Sequence, residues 1–336
     1  MTFSRSTLSD RPRLSVILPT WNRMQYLPQA LDSVLAQEDA DFEVIVSDNA
    51  STDGTAEYMA QFANHPRVRY SRNETNLGMV GNWRKAIFEL ARGEWFLLMS
   101  DDDYFIDPHY LHDALTLIEQ SDPRFVYAGG DVLDIESGHT RRLTPPFAPG
   151  LVDGGQVFAS RGTVEPQDII LCNMLFRVAD ARRLGFLNNE NNLSTDSELY
   201  LKLCAEGSVG VIPRPVCVYR WHPGNLIKTV HQHPERLAGN LEYLVLPYAH
   251  ARNLGMDSGA LETYRHNVSL SAKIRDTLGL LYEQPNRNLY QACLSMTLRE
   301  VPELMPRILR HLRIERMRNR VRTWIGRPPK RRHPIV

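Results

Sequence analysis

Short apolar runs separated by polar loops and helical periods set the pattern of the N-terminal part. Leu14-Ser15-Val16-Ile17-Leu18, Phe42-Glu43-Val44-Ile45-Val46 and Trp95-Phe96-Leu97-Leu98-Met99 have the length and continuity of strands covered on both faces. Leu27, Ala30, Leu31, Val34 and Leu35 fall at helical spacing and predict a first helix. Residues 55–62 predict a second helix, 68–70 a short strand and 82–91 a third helix. Strands alternating with helices predict an α/β fold, a mostly parallel sheet flanked by helices in the Rossmann-like manner. Polar loops at 19–23, 48–54 and 101–103 close strands one, two and four. In a parallel sheet these loops gather at the carboxyl edge, where ligands of open α/β sheets bind. No GxGxxG follows the first strand, so a dinucleotide fold of the usual kind is not expected.

Farther along, 108–120 reads as an amphipathic helix. Residues 125–128 and 132–135 read as a strand pair bent at Gly129-Gly130. The Pro/Gly-rich stretch 137–155 reads as a loop, and 174–176 as a strand. A helix containing Leu199, Leu201, Leu203 and Cys204 ends at Gly207, and 209–212 and 216–222 are the last strands. From about residue 234 the pattern is helical throughout. The expected division is therefore a catalytic-type α/β domain over 1–228 and an all-α region over 229–336.

Composition changes the picture in one respect. The 336 residues balance 39 basic against 39 acidic side chains, but 303–336 hold eleven Lys/Arg and two acidic residues. A mildly acidic body with a basic tail points to an anionic partner for the tail. In that tail Met305, Ile308, Leu309, Leu312, Met317, Val321, Trp324 and Ile325 follow helical spacing among arginines. Such a helix can lie on an anionic membrane surface or pack on the body. No nucleic-acid-reading motif accompanies it, so no nucleic-acid partner is expected. The four cysteines, Cys172, Cys204, Cys217 and Cys293, form no CxxC pair and fit reduced, buried thiols. Residues 1–13 are polar and do not read as a signal peptide. No run approaches the ~18 apolar residues of a membrane span. The expected location is cytoplasmic, with peripheral association at the inner membrane face.

The chemistry concentrates where the fourth strand runs into Ser100-Asp101-Asp102-Asp103. Three adjacent carboxylates repel one another and call for a positive neighbour, for which a divalent cation with oxygen ligands is the simplest candidate. A metal there could hold a phosphorylated ligand at the strand end.

Four segments in order, LSVILPTWN (14–22), VSDNASTDG (46–54), SDDD (100–103) and LSTDSELYLK (193–202), resemble the family 2 glycosyltransferases, inverting enzymes of the GT-A fold. The resemblance covers roughly residues 12–225. It implies a nucleotide-sugar donor, UDP- or dTDP-linked, a glycan or lipid-linked acceptor, and Mn²⁺ or Mg²⁺ as Lewis acid. By position Asp102 resembles the metal ligand and Asp101 the ribose contact. Asp103 and His222 are further metal candidates, although a lone His is often structural. Many members have Asp where this chain has Ser100. Asp48 resembles the residue that selects a pyrimidine, or it closes an Asx turn. Pro19, Thr20 and Asn22 resemble the first nucleotide loop, or form a βα turn. Asn76 and Gly78 are placed by the nucleotide, with Gly78 also readable as a turn residue. Asp196 resembles the catalytic base, although Thr195-x-x-Glu198 is also a capping box. Two other readings stay open: a metal-dependent phosphohydrolase or nucleotidyltransferase, and a non-catalytic nucleotide-sugar-binding scaffold.

Overall fold

The structure, a computed structural model, describes residues 11–161, 170–310 and 312–313. These form two compact units interleaved along the chain. The first contains 11–153, 170–190 and 207–222; the second contains 154–161, 191–206 and the described residues from 223 onward. The last passage from the first unit to the second falls between His222 and Pro223. The two earlier excursions leave no mark in the hydrophobic pattern.

The first unit is built on one mixed sheet. Its strands are β1 (Leu14–Thr20), β2 (Phe42–Asp48), β3 (Val68–Arg72), β4 (Trp95–Leu98), β5 (Tyr104–Phe105), β6 (Phe125–Asp134), β7 (Thr140–Leu143), β8 (Gly150–Val152), β9 (Met174–Arg177) and β10 (Val209–Trp221). The order is β3-β2-β1-β4-β9-β6-β10-β5, with β7 beside β6 and β8 beside β10. β1, β2, β3 and β4 are mutually parallel, and β6 is parallel to β10. β9 runs antiparallel to both neighbours and joins the two parallel groups.

Alternation explains why the first strands read as continuous apolar runs. Leu14, Val16 and Leu18 of β1 and Trp95 and Leu97 of β4 enter one core with α1 (Leu27–Leu35). The intervening Ile17, Phe96 and Leu98 are equally buried, as successive side chains of a strand point to opposite faces. On that second face Phe176 lies 5.7 Å from Phe96 and 5.7 Å from Phe125, between ring centroids. α2 (Thr55–Met59), α3 (Gly78–Lys85), α4 (Tyr110–Ser121) and α6 (Val178–Arg183) complete the helices of this unit.

Three expectations are corrected. Gly129-Gly130 is not a bend, since β6 runs straight through it. A Cβ on Gly129 would lie 2.8 Å from the Arg214 carbonyl oxygen and 2.9 Å from that of Leu143, so glycine is needed there for close approach of flanking strands. Gly129→Ala is expected to destabilise the fold by about 1–3 kcal/mol, read as a lower melting temperature by calorimetry. The two last strands are one strand, β10, with register shifts at Ile212/Pro215 and Pro215/Val218; proline sits in sheets at such irregularities. The expected loop 137–155 contains the short β7 and β8.

The second unit is helical: α5 (Gly154–Ser160), α7 (Thr195–Cys204), α8 (Pro234–Asn253), α9 (Ser258–Asn267), α10 (Leu270–Glu283) and α11 (Arg287–Glu300). The 20-residue α8 packs against α7, α10 and α11. In the expected basic amphipathic helix Met305, Ile308 and Leu312 are buried against protein, while Leu309 is 42% exposed. Met317, Val321, Trp324 and Ile325 lie outside the described residues. Among the described residues no helix is long and apolar enough to cross a membrane. All four cysteines are buried thiols.

Candidate functional site

Register brings the first loops together. Thr20 is paired with Asp48 at the ends of β1 and β2, and Met99, just past β4, donates its backbone N–H to Ile17 at 2.8 Å. The loop after β1 is tied to the loop after β2 by Asn22 N–H to Ser51 Oγ at 3.0 Å, Thr52 N–H to Asn22 Oδ1 at 2.7 Å, and Met24 N–H to Asp53 Oδ2 at 2.8 Å. Asn22 and Ala50 both have left-handed backbones, with φ of 52° and 67°. For Ala50 that conformation is strained, the kind of local strain found at ligand-binding edges.

The acidic cluster sits at this edge and is more enclosed than a solvated turn. Asp101, Asp102 and Asp103 are 6%, 5% and 1% exposed. Asp102 is the hub. One of its oxygens, Oδ2, meets the Arg23 guanidinium and lies 2.9 Å from His222 Nε2. Arg23 Nη1 is also 3.8 Å from Asp101 Oδ1. Burial, reinforced by the charge of Asp102, pushes the Asp101 carboxyl up to about 7, against the opposing pull of Arg23. Burial also lifts the Asp103 carboxyl well above the usual range, again with Asp102 adding to it. Burial alone would lower the Arg23 pKa, but Asp102 and Asp101 outweigh it and raise it.

Asp103 points into the fold. Its Oδ1 accepts the Arg220 backbone N–H at 2.8 Å. The Arg220 side chain donates to the Asp102 carbonyl at 2.6 Å and to Gln29, and its guanidinium lies 5.3 Å and 4.5 Å from the ring centroids of Tyr26 and Tyr104. Arg220 of β10 thus clamps the acidic loop, and His222, directly after β10, meets Asp102. Two guanidiniums add positive charge to the cluster, Arg23 beside Asp101 and Asp102 and Arg220 beside Asp103. Arg23 and Arg220 were not singled out; their signal is that each lies within a segment already quoted, Arg23 as the last residue of the first loop and Arg220 two residues before His222.

Asp48 is fully buried. Its Oδ2 accepts the Tyr70 hydroxyl at 2.6 Å and lies 3.3 Å from Arg72 Nε, while Oδ1 accepts the Ser51 N–H at 2.8 Å. Both oxygens therefore already have donors. Burial, with the hydrogen bond to Asp48 next, raises the Tyr70 pKa, so the phenol keeps its proton and donates. Tyr70→Phe removes a donor to a buried carboxylate and is expected to destabilise by about 1.5–3 kcal/mol, seen as a lower urea midpoint at unchanged m. Asn76 Oδ1 accepts from Asn49 Nδ2 at 2.9 Å and from the Gly78 N–H at 2.8 Å. Gly78 has φ of 74°, which glycine adopts without strain. Asn49, which was passed over, holds this loop to β2.

In the helical unit Asp196 lies in the first turn of α7. The capping box is not formed: Glu198 instead accepts from Asn192 Nδ2 at 2.7 Å and from Lys202, and the N-cap Ser194 makes no side-chain cap. Burial raises the Asp196 carboxyl, opposed by the Ser197 N–H and by the charge of Arg161.

Among the described residues no group of three or more His, Cys, Asp and Glu side chains is arranged to hold a metal ion. The donor pair Asp102 and His222 nevertheless fits a metal shared with a ligand, since small divalent cations commonly take one or two protein ligands and complete their shell with phosphate oxygens and water.

A mixed sheet with an acidic loop at the carboxyl edge of its parallel strands and a helical C-terminal region defines a GT-A-type glycosyltransferase. Residues 15–184 match Glycosyl transferase family 2, half of the chain, and the chain belongs to that family. It is 25% identical over 265 residues to an uncharacterized glycosyltransferase of Haemophilus influenzae, covering 77% of this chain and 86% of that protein. It is 36% identical over 110 residues to the poly(ribitol-phosphate) beta-N-acetylglucosaminyltransferase TarS of Staphylococcus aureus, covering 32% of this chain and 19% of TarS. The matched region thus spans about a fifth of TarS. The structure of TarS 1-349 with UDP-GlcNAc superposes with a TM-score of 0.65 at 18% identity, over 88% of this chain and 82% of that one. The mannosyltransferase PcManGT of Pyrobaculum calidifontis, with GDP-Man and Mn²⁺, gives 0.52 at 20% identity, over 86% and 75%. At these identities the two structures speak to the fold. The phosphohydrolase and scaffold readings give way to a transferase that takes its sugar from a nucleotide-sugar.

Proposed function

We propose that the chain transfers a sugar, with inversion, from a UDP- or dTDP-sugar to a hydroxyl of a glycan or lipid-linked acceptor. The observation that carries this reading is the gathering of the β1, β2 and β4 loops around the buried Asp102–His222 contact of 2.9 Å, in a chain of this family. Asp102 and His222 would hold Mn²⁺ or Mg²⁺. When bound, the ion supplies Lewis-acid stabilisation of the diphosphate leaving group. Asp101, beside it, is assigned to the ribose. Arg23 offers a planar guanidinium suited to phosphate oxygens. Asp103 is assigned to holding the loop on β10, in keeping with its bond to the Arg220 N–H.

Pro19, Thr20, Asn22, Asn76 and Gly78 are assigned to the walls of the nucleotide site. Asp48 is assigned to the pyrimidine side of that site, where Ser51, Tyr70 and Arg72 hold it. Asp196 is assigned the base. It takes the proton of the acceptor hydroxyl as that oxygen bonds to the anomeric carbon and the bond to the diphosphate breaks. TarS with UDP-GlcNAc and PcManGT with GDP-Man and Mn²⁺ support a nucleotide-sugar donor and a divalent ion.

The test offers UDP-, dTDP- and GDP-sugars in parallel, with Mn²⁺ or EDTA. Nucleoside diphosphate released from a UDP- or dTDP-sugar only with the metal supports the reading. Turnover of GDP-sugars alone, or turnover unaffected by EDTA, contradicts it.

A further inference from the structure

The first turn of α7, which carries Asp196, is held from outside the helix. The N-cap Ser194 makes no side-chain cap. Its hydroxyl instead donates to Asn240 Oδ1 of α8 at 2.8 Å. The Ser194 N–H donates to Asn192 Oδ1 at 3.0 Å, and Asn192 Nδ2 donates to Glu198 Oε2 at 2.7 Å. The Glu198 N–H closes the turn on the Ser194 carbonyl at 3.0 Å. Asn192, Ser194 and Glu198 are all buried, so this network lies in a low dielectric, where a satisfied polar network makes a structure rigid.

The surface of α8 is shaped to receive that turn. A Cβ on Gly239 would lie 2.4 Å from both the carbonyl carbon and the oxygen of Asn191, and 2.6 Å from Asn192 N. Glycine therefore lets the segment before α7 rest directly on the α8 backbone. Asn240 is the next residue, and Tyr243, three positions on, shares its helix face. Burial raises the Tyr243 phenol, Arg161 opposes this, and the charge of Asp196 adds to the rise. Tyr243 is thus an electrostatic neighbour of Asp196. The Asp196 carboxylate itself accepts from its own N–H and from that of Ser197. Tied in this way to local backbone, it points where the turn points, and what fixes the turn fixes the carboxylate.

We propose that Asn240 is a positioning residue for sugar transfer, fixing through the Ser194 hydroxyl the turn from which Asp196 meets the acceptor. The proposal rests on the reading of Asp196 as the base. Its residues all lie in the helical unit, beyond the family match that ends at residue 184. A misplacement of about 1 Å can cost about 10²-fold in rate. The donor loops belong to the first unit and keep their own bonds when Asn240 is replaced.

The full-length variants N240L, S194A, N240L/S194A and N240D are compared with the unaltered chain. N240L removes the acceptor at similar size, whereas N240D keeps an acceptor for the hydroxyl. Hydrogen exchange of the peptide 192–199 reports the turn. Nucleoside diphosphate released from UDP- and dTDP-sugars reports kcat, and calorimetric binding of UDP with Mn²⁺ reports the donor site. N240L and S194A should each exchange faster over 192–199 and lower kcat about 10²-fold, with UDP affinity kept within about twofold. The double variant should lose no more than either single one, since each removes the same bond. N240D should recover most of the loss. Unchanged exchange, additive losses, or an N240D as impaired as N240L overturn the proposal. Faster exchange with normal kcat overturns the positioning role. D196N separates this from failure of the reading beneath it. Near-normal turnover in D196N overturns the base itself, whereas a D196N loss beside normal N240L turnover overturns the Asn240 assignment alone. S194A, with no side-chain cap to lose, carries the comparison if N240L does not fold.

Discussion

Asp102→Asn is expected to lower kcat/KM for the donor by about a thousandfold, or about 4 kcal/mol, while leaving the melting temperature unchanged or raised. The first part follows from the hub position of Asp102, whose Oδ2 serves both Arg23 and His222. The second follows from the charges around it. Asp102 is the main charged neighbour pushing up the carboxyls of both Asp101 and Asp103, so a neutral amide relieves repulsion in a buried cluster. Arg23 keeps Asp101 as a neighbour, at 3.8 Å. A steady-state assay beside a thermal melt separates the two effects. A large fall in both would mark Asp102 as a structural residue, and full activity would remove it from donor binding.

Asp196→Asn is expected to leave donor affinity within about twofold and to lower kcat by about 10²–10⁴, the usual contribution of a general base. Burial raises the Asp196 carboxyl, and only the ionised form accepts the acceptor proton. The acid limb of the unaltered enzyme's kcat profile should therefore lie above the ordinary Asp value of ~3.9 and vanish in the variant. The sign for stability runs the other way. A carboxyl raised by folding opposes the folded state once pH passes its unfolded pKa, so the amide should not lower the melting temperature at neutral pH. Near-normal turnover with a lower melting temperature would return Asp196 to a helix-terminal role.

Much of the first unit was legible because burial on both faces writes itself as apolar runs. LSVIL, FEVIV and WFLLM could be little else, and their polar ends marked one edge of the sheet. What escaped has physical causes. Gly129 and Gly130 look like a turn in sequence, yet they are there because flanking backbone and side chains leave no room for a Cβ. Pro213 and Pro215 look like a break, yet β10 absorbs Pro215 in a shift of register. β7, with three polar residues in Thr140–Leu143, lacks the apolar pattern of a covered strand.

In the site the acidic triad was visible as a local oddity, but its partners were not. The Arg220–Asp103 bond joins residues 117 apart, and the contact of Arg23 with Asp102 spans 79. Local pattern carries no trace of such pairs. The amphipathic tail illustrates another limit. Helical spacing identified Met305, Ile308 and Leu312, but spacing cannot distinguish a face turned to lipid from one turned to a neighbouring helix.

Calorimetric titration of the unaltered chain with UDP, dTDP, GDP and CDP, each with and without Mn²⁺, tests the central claim most directly. The account predicts binding of UDP or dTDP that requires the metal and is lost in Asp102→Asn. Metal-independent binding, a preference for GDP or CDP, or no binding of any nucleotide would contradict it.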